Sequence, residues 1–131
     1  MNILLDTNAY SRLKLDDDEV IKKIRDADQV LISVIVAGEL FYGFLVGSKT
    51  EAKFIDLMNF LDHPKVRVVP ISFETAERYG EIASSLRSLG RPIPANDMWI
   101  AAQAIETDSE LVTADSDFEF INGLRCHKLA V

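Results

Sequence analysis

Cysteine is nearly absent from this sequence, with Cys126 the single thiol among 131 residues. One thiol closes no intrachain disulfide, and neither it nor the 2 histidines stand at zinc-ligand spacing. A disulfide-stapled secreted scaffold and a Cys/His zinc module are therefore excluded, and the expected compartment is the reducing cytoplasm. Positive charge is also scarce: 14 Lys and Arg stand against 21 Asp and Glu, a net charge of -7 with a pI near 4.7. No basic coat covers the surface, so a phosphate-backbone partner requires a local basic patch, a bound cation or a basic second protein. Long apolar runs are missing as well. The most apolar stretch, Val30 to Val46, is broken by Glu39, and nothing approaches the roughly 18 apolar residues of a membrane span. Met1 to Asp6 carry neither the basic lead nor the apolar run of a secretory signal. With 4 prolines and 6 glycines and no repeat or low-complexity tract, no linker divides the chain.

What is present is enough for one core. The sequence is 48% hydrophobic and 27% charged, a composition that excludes disorder and predicts one domain over residues 1–131. Short apolar runs at Ile3–Leu5, Val30–Ile32, Val66–Val69 and Leu111–Thr113, with a last at Arg125–Leu129, read as buried strands. Between them the periodicity predicts helices from Thr7 or Asn8, over Asp17–Ala27, from a Ser33 cap to Val46, over Lys49–Asp62, from a Ser72 cap to Leu89, and over Ala95–Thr107. Strands separated by helices imply a parallel sheet covered on both faces, with ligands bound beyond the carboxyl ends of the strands.

The positions of certain acids carry the chemistry. Asp6 is the only charge before Arg12, Glu39 the only charge between Asp28 and Lys49, and Asp97 the only charge between Arg91 and Glu106. Ionised carboxylates in apolar surroundings cost several kcal/mol unless paired or bound to metal, and no Lys or Arg is near in sequence. Asp115 follows the fourth strand and should enter the same crevice as Asp6. Each has a plainer explanation: Asp6-Thr7-Asn8 and Asn96-Asp97 as helix caps, Glu39 on an exposed helix face, Asp115 in a solvated acidic turn with Asp117 and Glu119. Together, four acids from four segments would suit a hard divalent cation held by oxygen. Arg12, about two turns beyond Asp6 on one helix, is the expected substrate-binding cation, with Lys14, Lys22, Lys23 and Arg25 on the flanks. Neither His63 nor His127 is placed to serve as a general base.

The blocks Leu5-Asp-Thr-Asn8, Ser33-Val-x-x-x-Gly-Glu-Leu-x-Tyr-Gly43, Gly90-Arg-Pro-Ile-Pro-x-Asn-Asp-x-x-Ile-Ala-Ala102 and Leu111-Val-Thr-x-Asp-x-Asp-Phe118 resemble, in order and over nearly the whole chain, the PIN-domain ribonucleases. The nearest resemblance is to the VapC toxins of toxin-antitoxin pairs. It implies a three-layer α/β/α sandwich around a mainly parallel sheet of four to five strands. It also implies Mg2+, replaceable by Mn2+, held by Asp6, Glu39, Asp97 and Asp115 as the catalytic acids, with 5'-phosphate and 3'-hydroxyl products. Thr7, Asn8, Thr113 and Asp117 would orient carboxylates or water. Ala114 stands where the family often has Asn, and Asp117 adds an acid that could stand nearer the metal than Asp115.

The implied partners are RNA, a cognate antitoxin and a second copy in a homodimer, with no membrane. The antitoxin's seat is expected on the apolar arc of Phe54, Ile55, Leu57, Met58, Phe60 and Leu61 beside Phe41, Tyr42, Phe44 and Leu45. The same site would serve a housekeeping RNA-processing nuclease, and an idle interaction module would need only the surface. A phosphoacceptor receiver domain is excluded, because it needs an acidic pair before its acceptor strand and a Lys after a late strand.

Overall fold

A computed structural model describes residues 1–131. Five parallel strands form one sheet, β1 (Ile3–Leu5), β2 (Val30–Ser33), β3 (Val66–Val69), β4 (Glu110–Thr113) and β5 (Cys126–Lys128), in the spatial order β3-β2-β1-β4-β5. The central strand reads Ile-Leu-Leu with every residue buried, as expected of a strand covered on both faces. Leu4 pairs with Leu31 on one side and Leu111 on the other. The connecting helices are α1 (Thr7–Lys14), α2 (Asp18–Asp26), α3 (Val34–Val46), α4 (Thr50–Leu61), α5 (Phe73–Ser88) and α6 (Ala95–Glu106). Ala101, Ala102 and Ala104 are fully buried on α6, and their small side chains let that helix lie close to its neighbours.

From β1 the chain winds outward through β2 to β3, then returns across the sheet to β4 and β5. The reversal lies between β1 and β4, and a doubly wound sheet opens its ligand crevice beyond the strand ends at such a point. Asp6 follows β1 directly, and its N–H donates to the carbonyl of Val112 on β4 at 3.2 Å.

Element ends differ from the sequence expectations where capping chemistry differs. Asp17 stands outside α2 as its cap, accepting from the N–H groups of Glu19 and Val20. Lys49 precedes α4 in the left-handed region, φ 58°. Pro94, not Asn96, occupies the cap position of α6, which places Asn96 and Asp97 inside its first turn. The short 3-10 helix η1 (Ser116–Phe120) was not foreseen at all.

Candidate active site

Asp6 is 6% exposed, and its side chain caps α1 by accepting from the Ala9 N–H at 2.8 Å. Its other carboxylate oxygen accepts a short bond from the Thr113 hydroxyl. The cap explanation and the site explanation therefore hold together for this residue. Burial pushes its pKa up, the bonds from Thr113 and Ala9 pull it down, and Asp115 and Glu39 push it up again. The Thr113 hydroxyl also accepts from the Asp115 N–H at 2.9 Å, so one oxygen spaces the ends of β1 and β4. Asp115 in turn caps η1, accepting from the Asp117 N–H at 2.9 Å.

Asp97 lies in the first turn of α6, and neither it nor Asn96 caps that helix. Burial, followed by Asp115, Asp117, Glu39 and Asp6, pushes its pKa from 3.8 up to about 6. Ligand oxygens of Asp97, Asp115 and Asp117 lie within 4.8 Å of one another. Glu39, half-buried on α3, stands beside this trio. One of its oxygens accepts from Thr7 Oγ1 at 2.7 Å and the other from Asn96 Nδ2 at 3.4 Å. Asn96 is an orienting residue that sequence reasoning missed, although it stands next to Asp97 in the quoted motif. Asn8 is exposed and makes no side-chain hydrogen bond.

No Lys, Arg or His forms an ion pair with any of these five acids. Arg12 is turned elsewhere: its guanidinium donates to the Ala130 carbonyl at 2.6 Å and meets Asp17 at 3.4 Å. Lys23 pairs with Glu110 at 2.6 Å and Arg25 with Asp26 at 3.6 Å. The donor set is therefore all oxygen, close-packed at Asp97, Asp115 and Asp117 and without an ion pair, which fits a hard divalent cation.

The PIN domain family model matches residues 3–124. Among curated relatives, Ribonuclease VapC1 of Haemophilus influenzae is 29% identical over 95% of this chain and 96% of its own length. Ribonuclease VapC2 of Rickettsia felis is 32% identical over 86% of each chain. In a solved structure of VapBC2 from Rickettsia felis bound to a promoter DNA fragment, one chain is 27% identical with a TM-score of 0.87, covering 99% of this chain and all of that one. A five-stranded parallel sheet, four separated segments delivering acids to its switch point, and a match over nearly the full length agree: the chain belongs to the PIN-domain family, among the VapC ribonucleases.

Proposed function

We propose that this protein is a Mg2+-dependent endoribonuclease, the toxin of a toxin-antitoxin pair, working in the cytoplasm as one PIN domain over residues 1–131. The observation that carries the reading is the trio Asp97, Asp115 and Asp117, with ligand oxygens within 4.8 Å and no ion pair to any Lys, Arg or His. The names of the relatives support ribonuclease activity, and the VapBC complexes among the structural neighbours support an antitoxin partner.

Asp97 and Asp115, joined by Asp117 and with Asp6 behind them, would hold Mg2+ or Mn2+. When bound, such a cation lowers the pKa of coordinated water and offsets charge developing on a phosphate. The chain's own residues do the rest. Asp6 is immobilised by two hydrogen bonds and sets the floor of the crevice. Glu39, tethered by Thr7 and Asn96 at the margin of the trio, orients the attacking water toward phosphorus. Thr113 keeps Asp6 and Asp115 in register.

Asp97→Asn keeps size and removes ligand charge. Total RNA incubated with the purified variant should stay intact in Mg2+ while the parent protein cuts it, and EDTA should silence the parent. Wild-type cleavage by Asp97→Asn would refute the metal-site assignment. Absence of both Mn2+ binding and RNA cleavage in the parent would make the chain an interaction module.

A further inference from the structure

One cation at the edge of the acid cluster has no carboxylate partner. Arg91 follows Gly90, whose φ of +67° ends α5 in a left-handed turn. There the Gly90 N–H donates to the Arg87 carbonyl at 3.0 Å and the Arg91 N–H to the Leu86 carbonyl at 2.9 Å. This pair of bonds is a Schellman motif, which fixes the backbone from which the arginine leaves. The guanidinium then lies over the ring of Phe120, 3.9 Å from its centroid. Phe120 closes η1, the short helix that Asp115 caps. Arg91 and Phe120 form part of the wall of an open cleft of about 390 Å³ that Ser116 and Asp117 also line. Asp117 belongs to the close-packed acid trio, so this cleft adjoins the candidate active site at that residue.

Arg91 forms no ion pair, although Asp117 and Glu119 line the same cleft. Arg12, Lys23 and Arg25 are all paired. A guanidinium stacked by its face on an aromatic ring keeps its N–H edge free, and that edge matches two phosphate oxygens at once. A chain of net charge -7 needs such a local cation where a polyanion passes its acids.

We propose that Arg91 binds a non-scissile backbone phosphate of the RNA strand as it leaves the acid cluster past Asp117, and that Phe120 is the platform holding the guanidinium there. This rests on the ribonuclease reading above. The test measures binding of fluorescein-labelled total RNA by anisotropy, in Mg2+ at a series of salt concentrations, with Asp97→Asn as the non-cleaving background. Adding Arg91→Ala should weaken binding about tenfold and reduce the log-log salt slope by about 0.7 to 0.9, the loss of one phosphate contact. Arg91→Lys should keep the slope yet bind less tightly, because it loses the planar fork. Arg87→Ala, an equal change of charge on the exposed end of α5, should leave the slope unchanged. With Asp97 intact, Arg91→Ala should raise KM and leave kcat within about twofold, with Mn2+ affinity and thermal midpoint unchanged. Wild-type affinity and slope in Arg91→Ala, or an equal loss in Arg87→Ala, would overturn the assignment. A parent protein that neither binds nor cuts RNA would instead refute the ribonuclease reading.

Discussion

At the scale of single residues, the Thr113 hydroxyl serves two carboxylate-bearing segments at once, donating to Asp6 and accepting from the Asp115 N–H. Thr113→Val keeps the shape and removes both bonds, so cleavage should fall about 10- to 100-fold while the fold persists. Unchanged turnover with a normal melting curve would deny Thr113 this positioning role. Asp97 supplies a second expectation, in pH. Its folded pKa of about 6 lies above the ordinary 3.8, so the native state binds the extra proton between about pH 4 and 6. Without metal, its contribution to stability is therefore greatest in acid and declines as pH rises through 6. Glu19 and Asp28, whose pKa values are lowered by hydrogen bonds to Ala130 and to the terminal amine, favour the native state only above their ordinary range and act in the opposite sense. In EDTA at pH 7, Asp97→Asn should therefore melt higher than the parent, by roughly 3 °C for a screened gain of about 1 kcal/mol. The difference should close toward pH 4. Mn2+ affinity of the parent should also drop below pH 6, as protons compete for the same oxygens.

At the scale of elements, the sheet and most helices were legible because their signals are local. Ile3–Leu5 and Val30–Ile32 are too apolar for anything but covered strands, and Ser33 and Ser72 cap their helices as expected. Asp6, Glu39 and Asp97 were legible as charges stranded in apolar stretches, whereas Asp115, in an acidic turn with Asp117 and Glu119, was legible only by following a buried strand, which the strand-end rule set beside Asp6. What escaped depended on tertiary pairing. Arg12 lies on the expected helix, but its direction is set by the distant Ala130 carbonyl, which no local pattern announces. The helix η1 is a single tight turn whose cap, Asp115, also read as a loop acid. Gln103 is another such case: buried on α6, it donates from Nε2 to the carbonyls of Val69 at 3.0 Å and Pro70 at 3.1 Å, tying α6 to the end of β3. Gln103→Leu leaves those carbonyls without their partner, and urea unfolding should show a loss of about 2 kcal/mol. A loss under 0.5 kcal/mol would mean that water replaces the amide.

At the scale of the whole molecule, the apolar surface expected to seat an antitoxin divides into two parts. Phe41 stacks on Phe54 at 5.1 Å, and Phe44 meets the same ring edge-on at 5.5 Å, so these three belong to the contact between α3 and α4. Leu57 is buried and Phe60 and Leu61 pack against the core; the solvent-facing remainder of the expected surface is Tyr42, Leu45, Ile55 and Met58, each more than half exposed, with Val46 exposed beside them. Phe44→Asp would therefore damage the fold, whereas Met58→Asp and Leu45→Asp probe the surface. Each should weaken antitoxin binding by tenfold or more in calorimetry and leave RNA cleavage near the parent level; wild-type affinity in both would place the partner elsewhere. The order of the sheet has a further consequence, in time. Its central strand comes from the first few residues, and one of that strand's two neighbours is β4, more than a hundred positions later. During synthesis, Asp6 must wait for Asp97, Asp115 and Thr113 to emerge before any pocket can close around it. A half-made chain therefore carries scattered acids and no assembled centre, and the capacity to cut RNA would arrive all at once, with the final third of translation.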